Sequence, residues 1–365
     1  MSTAVVTERR IPTPRIWVGE NPFPWPSAAA LPSGSILVAC YSLAAVQLLR
    51  TRQDKPYVKL QLTDAHGSME GRIWDEAERF SEWLQPGLHI GVRARVEIFN
   101  GERQLKVEDA VPVEVAPEDL ELFMPRSERD PETMERELRA FVASVRDASM
   151  RALLRRLLEP SSASGRAFRR APAAKQNHHA CLGGLLEHTL SVTGVCDALA
   201  RHYGGAVDRD LLITAALLHD IGKIREIEPG PGFPYSDEGK LLGHILLGLE
   251  MVGEAASAIP IPRERLLLVQ HLIASHQGRY EWQSPREPRI LEGLLLHYAD
   301  DLDAKMNQVQ SLLATTDTGW TSWSRSLGGE YLRHRAIPEP PPIPPPGPQV
   351  TRRDDGPLDL FDLDR

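Results

Sequence analysis

The chain has 365 residues, 42% hydrophobic and 25% charged, with a formal net charge of −8. The length suggests two domains, and the apolar fraction can fill ordinary cores, so wholesale disorder is excluded. No run of about 18 apolar residues exists and the N-terminal stretch lacks an apolar segment, so neither a membrane span nor a secretory signal is expected. Three distant cysteines, Cys40, Cys181 and Cys196, favour a reducing cytoplasm over a disulfide framework or a Cys-ligated zinc site. Taken alone, the acidic balance argues against a nucleic-acid partner.

Residues 1–33 show no periodicity and are interpreted as a lead-in segment, and residues 34–117 as a β domain. Alternating apolar and polar residues predict strands over 36–49, 57–62, 69–74, 88–99 and 103–113, with a short helix over 75–84. Asn100-Gly101 suits the turn of the last hairpin. Three strands, a helix and two strands are the order of an OB-fold barrel, and another small β-barrel is the alternative.

An OB barrel would supply a single-strand-binding surface, because such barrels stack bases on aromatic rings while cations follow the backbone. Aromatic residues on strands can equally belong to the core, and the sequence does not decide which face they occupy. The candidate nucleic-acid-binding residues are Tyr57, Lys59, Arg72, Trp74, Phe99, Lys106 and, beyond the barrel, Lys175.

After Pro117 the periodicity becomes helical, and residues 118–175 are interpreted as a basic helical connector. Asp130 is a plausible N-cap with Pro131 at the first helical position. The segment from Arg146 to Lys175 carries a local charge of +6, which is typical either of a solvated helix face or of a guide for a phosphate backbone. Residues 176–315 are predicted to be helical throughout, within a domain over 176–330, and the proline-rich residues 331–365 are predicted to be disordered.

The string Leu217-Leu218-His219-Asp220-Ile221-Gly222-Lys223 carries the sharpest chemical signal. Its apolar approach predicts a buried helix that ends or bends at Gly222, so that the adjacent histidine and aspartate can turn toward one ion. Imidazole nitrogen with carboxylate oxygen suits Mn, Fe, Co, Ni or Zn better than Ca or Mg.

Further residues of the same ligand types fall on separate predicted helices. A lone histidine in an apolar helix is usually a core residue, but several of them joined to a His-Asp pair favour a metal centre. The candidate ligands are His188, His219, Asp220, His244, His276 and Asp300.

This H…HD…H…H…D pattern resembles the ligand set of the HD phosphohydrolase superfamily. A narrower resemblance, over about residues 34–330, is to the YhaM-type 3′→5′ exoribonucleases. It is carried by the barrel and by the segments PAAKQNHHACLGGLLEHTLSV, ALLHDIGKIREIE, GKLLGHILLG, LIASHQGRYEWQSP and LLHYADDLDAKM. The chain is therefore expected to be a multidomain protein: a small all-β OB-fold barrel, then an all-α HD-domain helical bundle over 176–330, then a disordered Pro-rich tail.

The resemblance implies a divalent-metal nuclease that degrades single-stranded RNA, and sometimes DNA, from the 3′ end. It implies manganese as the usual cofactor, with Co²⁺, Fe²⁺ and Zn²⁺ as alternatives, and it favours a homo-oligomer. One departure is visible, since the family often has SHHG where this chain has Gln277 as the second residue of the pair. If that position were a ligand, one metal site would be weakened. His276 is expected instead to carry the ligand role, with His271 as its rival.

The number of ions is left open between two and one. In a two-metal centre Asp220, with Asp300, would bridge the ions, while His188 and His219 would complete one site and His244 and His276 the other. A mononuclear site would use His188, His219, Asp220 and Asp300.

The candidate catalytic residues are Asp220, Lys223, His178 and His179. Lys223 could place a point charge near the scissile phosphate or simply cap a helix end. His178 and His179 could bind phosphate or protonate a leaving oxygen, or their loop could pack against the barrel. Asp301 and Asp303 are expected to orient metal ligands or Lys305.

Three functions are weighed. The first is a metal-dependent 3′→5′ exonuclease on single-stranded RNA. The second is an HD phosphohydrolase of nucleotides or cyclic dinucleotides. The third is a single-strand-binding adaptor whose HD centre is no longer catalytic. The complete ligand set argues against the adaptor, and the barrel argues against a small-nucleotide substrate.

The tail segment Pro357-Leu358-Asp359-Leu360-Phe361 resembles the bacterial sliding-clamp peptide QL[SD]LF, with proline where glutamine is expected. It suggests a clamp contact through Leu358, Leu360 and Phe361.

The distribution of charge along the chain changes what the net charge of −8 implies about a nucleic-acid partner. Residues 176–310 contain 18 Asp and Glu against 11 Lys and Arg, so the acidic excess lies mostly in the catalytic region, where some of the carboxylates are candidate metal ligands. The overall net charge therefore no longer excludes a nucleic-acid partner.

Overall fold

The computed structural model describes residues 15–16, 28, 31–99, 102–175, 179–228, 230, 232–314 and 319–333. They form two compact units, one made mainly of residues up to Arg126 and the other mainly of residues from Ser127 onward. Each unit has its own hydrophobic core. The Asn100-Gly101 turn, His178 and the chain from residue 334 lie outside the described residues.

The first unit is a closed β-barrel. Its elements are β1 Arg15–Ile16, β2 Ile36–Arg50, β3 Pro56–Asp64, β4 Gly67–Ile73, α1 Ala77–Ser81, β5 His89–Phe99 and β6 Glu102–Glu114. Strands β2, β3 and β4 form an antiparallel meander, β5 pairs antiparallel with both β2 and β6, and a parallel β4–β6 pairing closes the five strands. The short β1 adds to β6 in parallel. This order of elements confirms the predicted OB-type barrel.

Alternation along the strands fills the interior of the barrel. Val58, Leu60 and Leu62 of β3 are fully buried, and Ile90 and Val92 of β5 repeat the pattern. Successive side chains of a strand point to opposite faces, so the apolar set lies inside and its polar neighbours lie outside.

The second unit is all-helical. Its helices are α2 Pro131–Ser144, α3 Ala148–Leu158, α4 Ala163–Arg170, α5 Gly184–Tyr203, α6 Arg209–Leu218, α7 Lys223–Glu226, α8 Asp237–Ala256, α9 Arg263–Ser275 and α10 Leu291–Ala314, with 3₁₀ turns at Gly204–Ala206 and Tyr280–Trp282. The Asp130 carboxylate accepts a hydrogen bond from the backbone of Thr133, as expected of the N-cap of α2. Among the described helices, none is long and apolar enough to cross a membrane.

Helix α6 is the centre of this bundle. Every residue from Leu211 to Leu218 is buried, and the helix packs against α3, α5 and α9. Side chains of α2 and α3, such as Leu138 and Leu153, belong to the same core as α6. The division between a connector over 118–175 and a domain over 176–330 stays a prediction, but the helices on the two sides of residue 175 share one core.

Part of the basic stretch has a structural role. The Arg169 guanidinium forms two hydrogen bonds with the Glu135 carboxylate, at 2.7 and 3.1 Å, and so ties α4 to α2. Arg151 donates to the backbone oxygen of Val145. Cations committed in this way have less freedom to meet a phosphate backbone.

Gly222 allows the chain after α6 to approach α8 closely. A Cβ at Gly222 would lie 2.0 Å from the backbone oxygen of His244 and 2.5 Å from the backbone nitrogen of Gly248. Only a residue without a side chain fits this contact, which fixes the position of His244 relative to the His219-Asp220 pair.

Gly222→Ala is expected to lower the free energy of unfolding by about 1–3 kcal/mol, because α8 must move to accept the methyl group. Gly194→Ala in α5 is the matched control, since no atom lies within 4 Å of an added Cβ there. An alanine in such a helix interior should stabilise by roughly 0.5–1 kcal/mol. Thermal unfolding followed by circular dichroism checks both variants, and equal unfolding temperatures would contradict the argument.

Candidate metal centre

The six candidate ligands come together from five helices or helix ends. They are His188 in α5, His219 and Asp220 after α6, His244 in α8, His276 after α9 and Asp300 in α10. All but His244 and Asp300 are almost completely buried, and these two side chains are 13% and 19% exposed. Solvent therefore reaches the cluster at the His244 and Asp300 side chains.

The Asp220 carboxylate is shared by two pairs of histidines. Its Oδ2 lies 3.3 Å from His219 Nε2 and 3.5 Å from His188 Nε2. Its Oδ1 lies 3.4 Å from His244 Nε2 and 3.6 Å from His276 Nε2. The ligand atoms of each trio lie within 4.8 Å of one another, so each trio could hold an ion.

Asp300 belongs to the first of these groups. Its Oδ1 lies 3.1 Å from His188 Nε2 and 3.8 Å from His219 Nε2. This gives the first position two imidazole and two carboxylate ligands, while the second has Asp220, His244 and His276.

His219 and His276 are oriented by the helices that precede them. The Nδ1 of His219 donates to the Ala216 oxygen at 2.8 Å, and the Nδ1 of His276 donates to the Ile273 oxygen at 2.7 Å. Because a carbonyl oxygen only accepts, each Nδ1 carries a proton, and in the neutral imidazole each Nε2 then presents a lone pair to the cluster.

His188 and His244 are oriented by carboxylates instead. The Nδ1 of His188 lies 2.7 Å from Asp303 Oδ2, and the Nδ1 of His244 lies 3.2 Å from Glu226 Oε1. A carboxylate behind a histidine fixes its tautomer and raises its basicity, as is common around protein-bound metals. The backbone reaches this geometry through Gly243, whose φ of 73° and ψ of 161° kink α8 just before His244.

The donor set fits a divalent cation. His188 Nε2 and His219 Nε2 lie 3.3 Å apart, and in the neutral imidazoles, whose Nδ1 atoms bond elsewhere, both would present a lone pair to the same space. Asp220 Oδ1 is buried and has no hydrogen-bond partner among the described residues. A cation would satisfy both features, and mixed imidazole and carboxylate ligands suit first-row transition ions.

Electrostatics keeps Asp220, Asp300 and His276 in metal-binding protonation states. Burial would raise the pKa of Asp220, but Lys223 and His219 outweigh it and hold that pKa well below its usual range. Burial would also raise the pKa of Asp300, which hydrogen bonding to His188 keeps below its normal value. Burial lowers the pKa of His276 to about 4, so this imidazole is neutral at pH 7. Burial would lower the pKa of His188, but hydrogen bonding to Asp220, Asp300 and Asp303 outweighs it and raises that pKa well above its usual range, so a cation bound there displaces a proton.

Lys223 forms an ion pair within the cluster. Its Nζ lies 2.6 Å from Asp220 Oδ2, and the side chain is 12% exposed. Burial would lower the pKa of Lys223, but Asp220 outweighs this and raises it, so the amine remains charged.

The remaining candidates of this region fall into a second layer or outside the cluster. His179 Nε2 lies 3.2 Å from Asp303 Oδ2, so His179 contacts the carboxylate that holds His188. Asp301 pairs with Lys305 at 2.6 Å. His271 accepts a hydrogen bond from the Arg289 backbone and is not part of the cluster, whereas its rival His276 is.

The candidate strand-binding residues of the barrel share one face. Lys59 of β3 pairs in register with Arg72 of β4, and Arg72 pairs in register with Lys106 of β6. Tyr57 and Trp74 stack with ring centroids 4.7 Å apart. Both rings are partly exposed rather than buried in the core.

Arg72 joins these rings to Phe99. Its guanidinium lies 5.9 Å from the Tyr57 ring, 5.8 Å from the Trp74 ring and 4.9 Å from the Phe99 ring, and Phe99 is 49% exposed. Glu70 contacts Arg72 and Lys59, each at 2.6 Å. The result is an aromatic surface with an arginine at its centre.

Lys175, the candidate beyond the barrel, lies near an aromatic ring of the helical unit. Its Nζ is 5.8 Å from the ring centroid of Tyr235, which is 40% exposed.

Comparison with known proteins matches both units. The HD domain family model matches residues 185–305, which include all six candidate ligands, and a family described as OB-fold nucleic acid binding domain matches residues 43–113. The 3′-5′ exoribonuclease YhaM of Bacillus subtilis (strain 168) is 33% identical over 266 residues, covering 73% of this chain and 83% of that protein. The chain belongs to the YhaM family. The resemblance drawn from its motifs is confirmed.

Two solved structures show slight likeness to this YhaM-family chain. The second OB-fold domain of replication protein A from Methanococcus maripaludis is 17% identical, covers 24% of this chain and 93% of its own, and has a TM-score of 0.20. The asparaginyl-tRNA synthetase of Entamoeba histolytica is 14% identical, covers 36% and 34%, and has a TM-score of 0.22.

Sequence reasoning missed two groups that complete the centre of this YhaM-family protein. Glu226, which holds His244, is three residues beyond Lys223, and that spacing is the only sequence signal for it. Gln277 was noted only as a departure from the family pattern, yet its Nε2 lies 3.3 Å from His244 Nε2.

Asp303→Ala is expected to weaken Mn²⁺ binding about 10- to 100-fold, because His188 loses the carboxylate that fixes its tautomer. Asp301→Ala is the matched control on the same helix, since Asp301 pairs with Lys305 instead. Isothermal titration of the metal-free chain with Mn²⁺ measures both affinities. Wild-type affinity in Asp303→Ala would show that His188 needs no such support.

Proposed function

We propose that this chain is a metal-dependent 3′-5′ exoribonuclease that hydrolyses single-stranded RNA, with single-stranded DNA as a second substrate. The buried Asp220 carboxylate, shared by two sets of histidines, is the observation that carries the metal-dependent chemistry. Membership of the YhaM family supports the direction of attack and the RNA substrate.

We assign two cation positions that share Asp220. His188, His219 and Asp300 would complete one, and His244 and His276 the other. Mn²⁺ is the proposed ion, with Co²⁺, Fe²⁺ and Zn²⁺ as competitors for the same donors. Divalent ions bound here would supply Lewis-acid stabilisation of the phosphate oxygens and activation of water.

Lys223 is proposed to hold a non-bridging phosphate oxygen. Its ammonium is charged, near the rim of the cluster and already fixed by Asp220. An ammonium acts as a point charge on phosphate, so it can stabilise the anionic substrate without rigid geometry.

His179 is proposed to position His188 rather than to protonate a leaving oxygen. The ring is 5% exposed, and its Nε2 faces Asp303 while its Nδ1 lies 3.6 Å from Glu187 Oε2. A side chain enclosed in this way has no open path to substrate. His178 lies outside the described residues and stays a catalytic candidate from sequence.

The barrel is proposed to hold the strand by stacking. Tyr57, Trp74 and Phe99 would stack bases, while Arg72, Lys59 and Lys106 would meet the phosphates. Lys175 is proposed to contact the strand from the helical unit.

Other partners and the location rest on sequence. We propose a homo-oligomer in the cytoplasm, and the three cysteines, none of which forms a disulfide, are compatible with a reducing compartment. The sliding-clamp contact through Leu358, Leu360 and Phe361 stays a proposal outside the described residues.

His219→Ala and Asp220→Asn are each expected to slow RNA cleavage more than about 100-fold, because a lost ligand costs more than a lost supporting contact. Strand binding should persist. The assay follows 5′-labelled single-stranded RNA with Mn²⁺ and then with a chelator, with the exposed His202→Ala as control.

Each outcome of this assay selects one function. A ladder shortening from the 3′ end, lost with chelator, supports the exonuclease. Intact RNA with hydrolysed nucleotides or cyclic dinucleotides would favour the small-substrate phosphohydrolase. Tight binding without cleavage would favour the adaptor, and turnover retained in both variants would remove the metal-centre assignment.

Trp74→Ala is expected to weaken single-strand binding about 5- to 150-fold, the range that loss of one base–aromatic stack gives. Tyr203→Ala, which removes a ring 53% exposed on the helical unit, is the control. Fluorescence anisotropy with a labelled oligonucleotide and chelator measures affinity without cleavage. Equal affinities would exclude this barrel face from strand binding.

A further inference from the structure

Gln277 lies beside the second pair of histidines, directly after His276. Its Nε2 is 3.3 Å from His244 Nε2. Its Oε1 is buried and has no hydrogen-bond partner within the described part of the chain. None of the roles proposed above for the metal centre uses the Gln277 amide.

Two residues in contact with His244 each carry a buried acceptor without a partner in the described part of the chain. One acceptor is Gln277 Oε1, and the other is Asp220 Oδ1, which lies 3.4 Å from His244 Nε2 and 3.6 Å from His276 Nε2. A buried acceptor without a donor costs about 1–3 kcal/mol. In the neutral imidazoles the Nδ1 protons point to Glu226 and to the Ile273 oxygen, so neither Nε2 is a donor.

We propose that Gln277 presents its amide oxygen to the cation held by Asp220, His244 and His276. Rotation of the terminal torsion exchanges the amide nitrogen and oxygen, which occupy nearly the same volume and are assigned by their hydrogen bonds. The exchange places Oε1 where Nε2 now lies, near His244 Nε2. This inference rests on the second cation position of the proposed function.

The spacing of the donor atoms agrees with a shared ion. Ligand atoms about 2.1 Å from one ion at tetrahedral angles lie roughly 3.4 Å apart. Three of the separations around this position, from Asp220 Oδ1 to the two histidines and from the Gln277 amide to His244, run from 3.3 to 3.6 Å.

The amide also sets which ion is preferred. With Gln277 the donors are two imidazole nitrogens and two oxygens. Carbonyl and carboxylate oxygens suit Mn²⁺, whereas imidazole suits Zn²⁺ and other later ions. Gln277 therefore favours manganese over zinc at the second position more than a histidine there would.

The test measures metal binding and needs no turnover. Metal-free full-length chains are titrated with Mn²⁺ and with Zn²⁺ by calorimetry, and bound ions are counted by mass spectrometry after dialysis. The variants are Gln277→Met, which keeps the size but removes the donor, Gln277→Glu, which replaces the amide with a carboxylate, and Gln277→His. Gln270→Met on α9 is the matched control, since Gln270 is similarly half-buried and outside the cluster.

Wild type is expected to bind two Mn²⁺ ions. Gln277→Met should weaken one of them about 10- to 100-fold and leave the other unchanged, which also shows that the variant folds. Gln277→Glu should retain both ions, and Gln277→His should raise the ratio of Zn²⁺ to Mn²⁺ affinity about tenfold or more. Gln270→Met should match wild type.

Unchanged affinities in Gln277→Met would overturn the inference. Failure of the proposed two-ion centre has a different signature, because wild type itself would then bind one ion. If Gln277→Met weakens that single ion, Gln277 is still its ligand and only the number of ions is wrong. If the single ion is unaffected, the inference is overturned as well.

Discussion

The buried carboxylate of Asp220 is the charge on which the rest of the catalytic unit depends. Each of its oxygens faces a different pair of imidazoles, and Lys223 lies 2.6 Å from Oδ2. Burying a carboxylate is costly unless it is paired and hydrogen-bonded. Lys223 pairs with Oδ2, while Oδ1 has no donor within the part of the chain that the structure describes. Because the protein neutralises only one of the two oxygens, the other remains available to bind a metal cation.

Close backbone packing supports that charge. Gly222 lets the chain after α6 lie against α8, and Gly243 takes a left-handed φ of 73° that turns His244 toward Asp220. A side chain at residue 222 would meet backbone atoms, and one at residue 243 would be strained by the positive φ, so both positions favour glycine. The helices carry the ligands, but these two breaks in regular packing set the angles at which the ligands meet.

The sequence could predict the elements and the ligands for physical reasons. Period-two alternation identified β3 and β5, and an apolar run ending in His219-Asp220 identified α6 and the centre. The groups that orient the ligands could not be found this way. Ala216 and Ile273 act through their backbone oxygens, so their residue types give no signal. Glu226 reaches His244 only because the chain kinks at Gly243, 17 residues later. The face occupied by Tyr57 and Trp74 depended on the register of β3 with β4, which alternation alone does not fix.

Local pairing changes what the charge pattern means for nucleic acid. Arg169 is committed to Glu135 within the basic stretch, and on the barrel Glu70 contacts both Lys59 and Arg72. Burial would raise the pKa of Glu70, but these two cations hold it below its normal value, so it stays ionised and offsets them. A cation already paired releases fewer counterions when phosphate arrives, so it contributes less to salt-dependent affinity. Glu70 does not reduce the free energy of base stacking on the aromatic rings in this way. On the proposed strand-binding face, the aromatic surface of Tyr57, Trp74 and Phe99 would therefore contribute more to affinity than the phosphate contacts of Arg72 and Lys59.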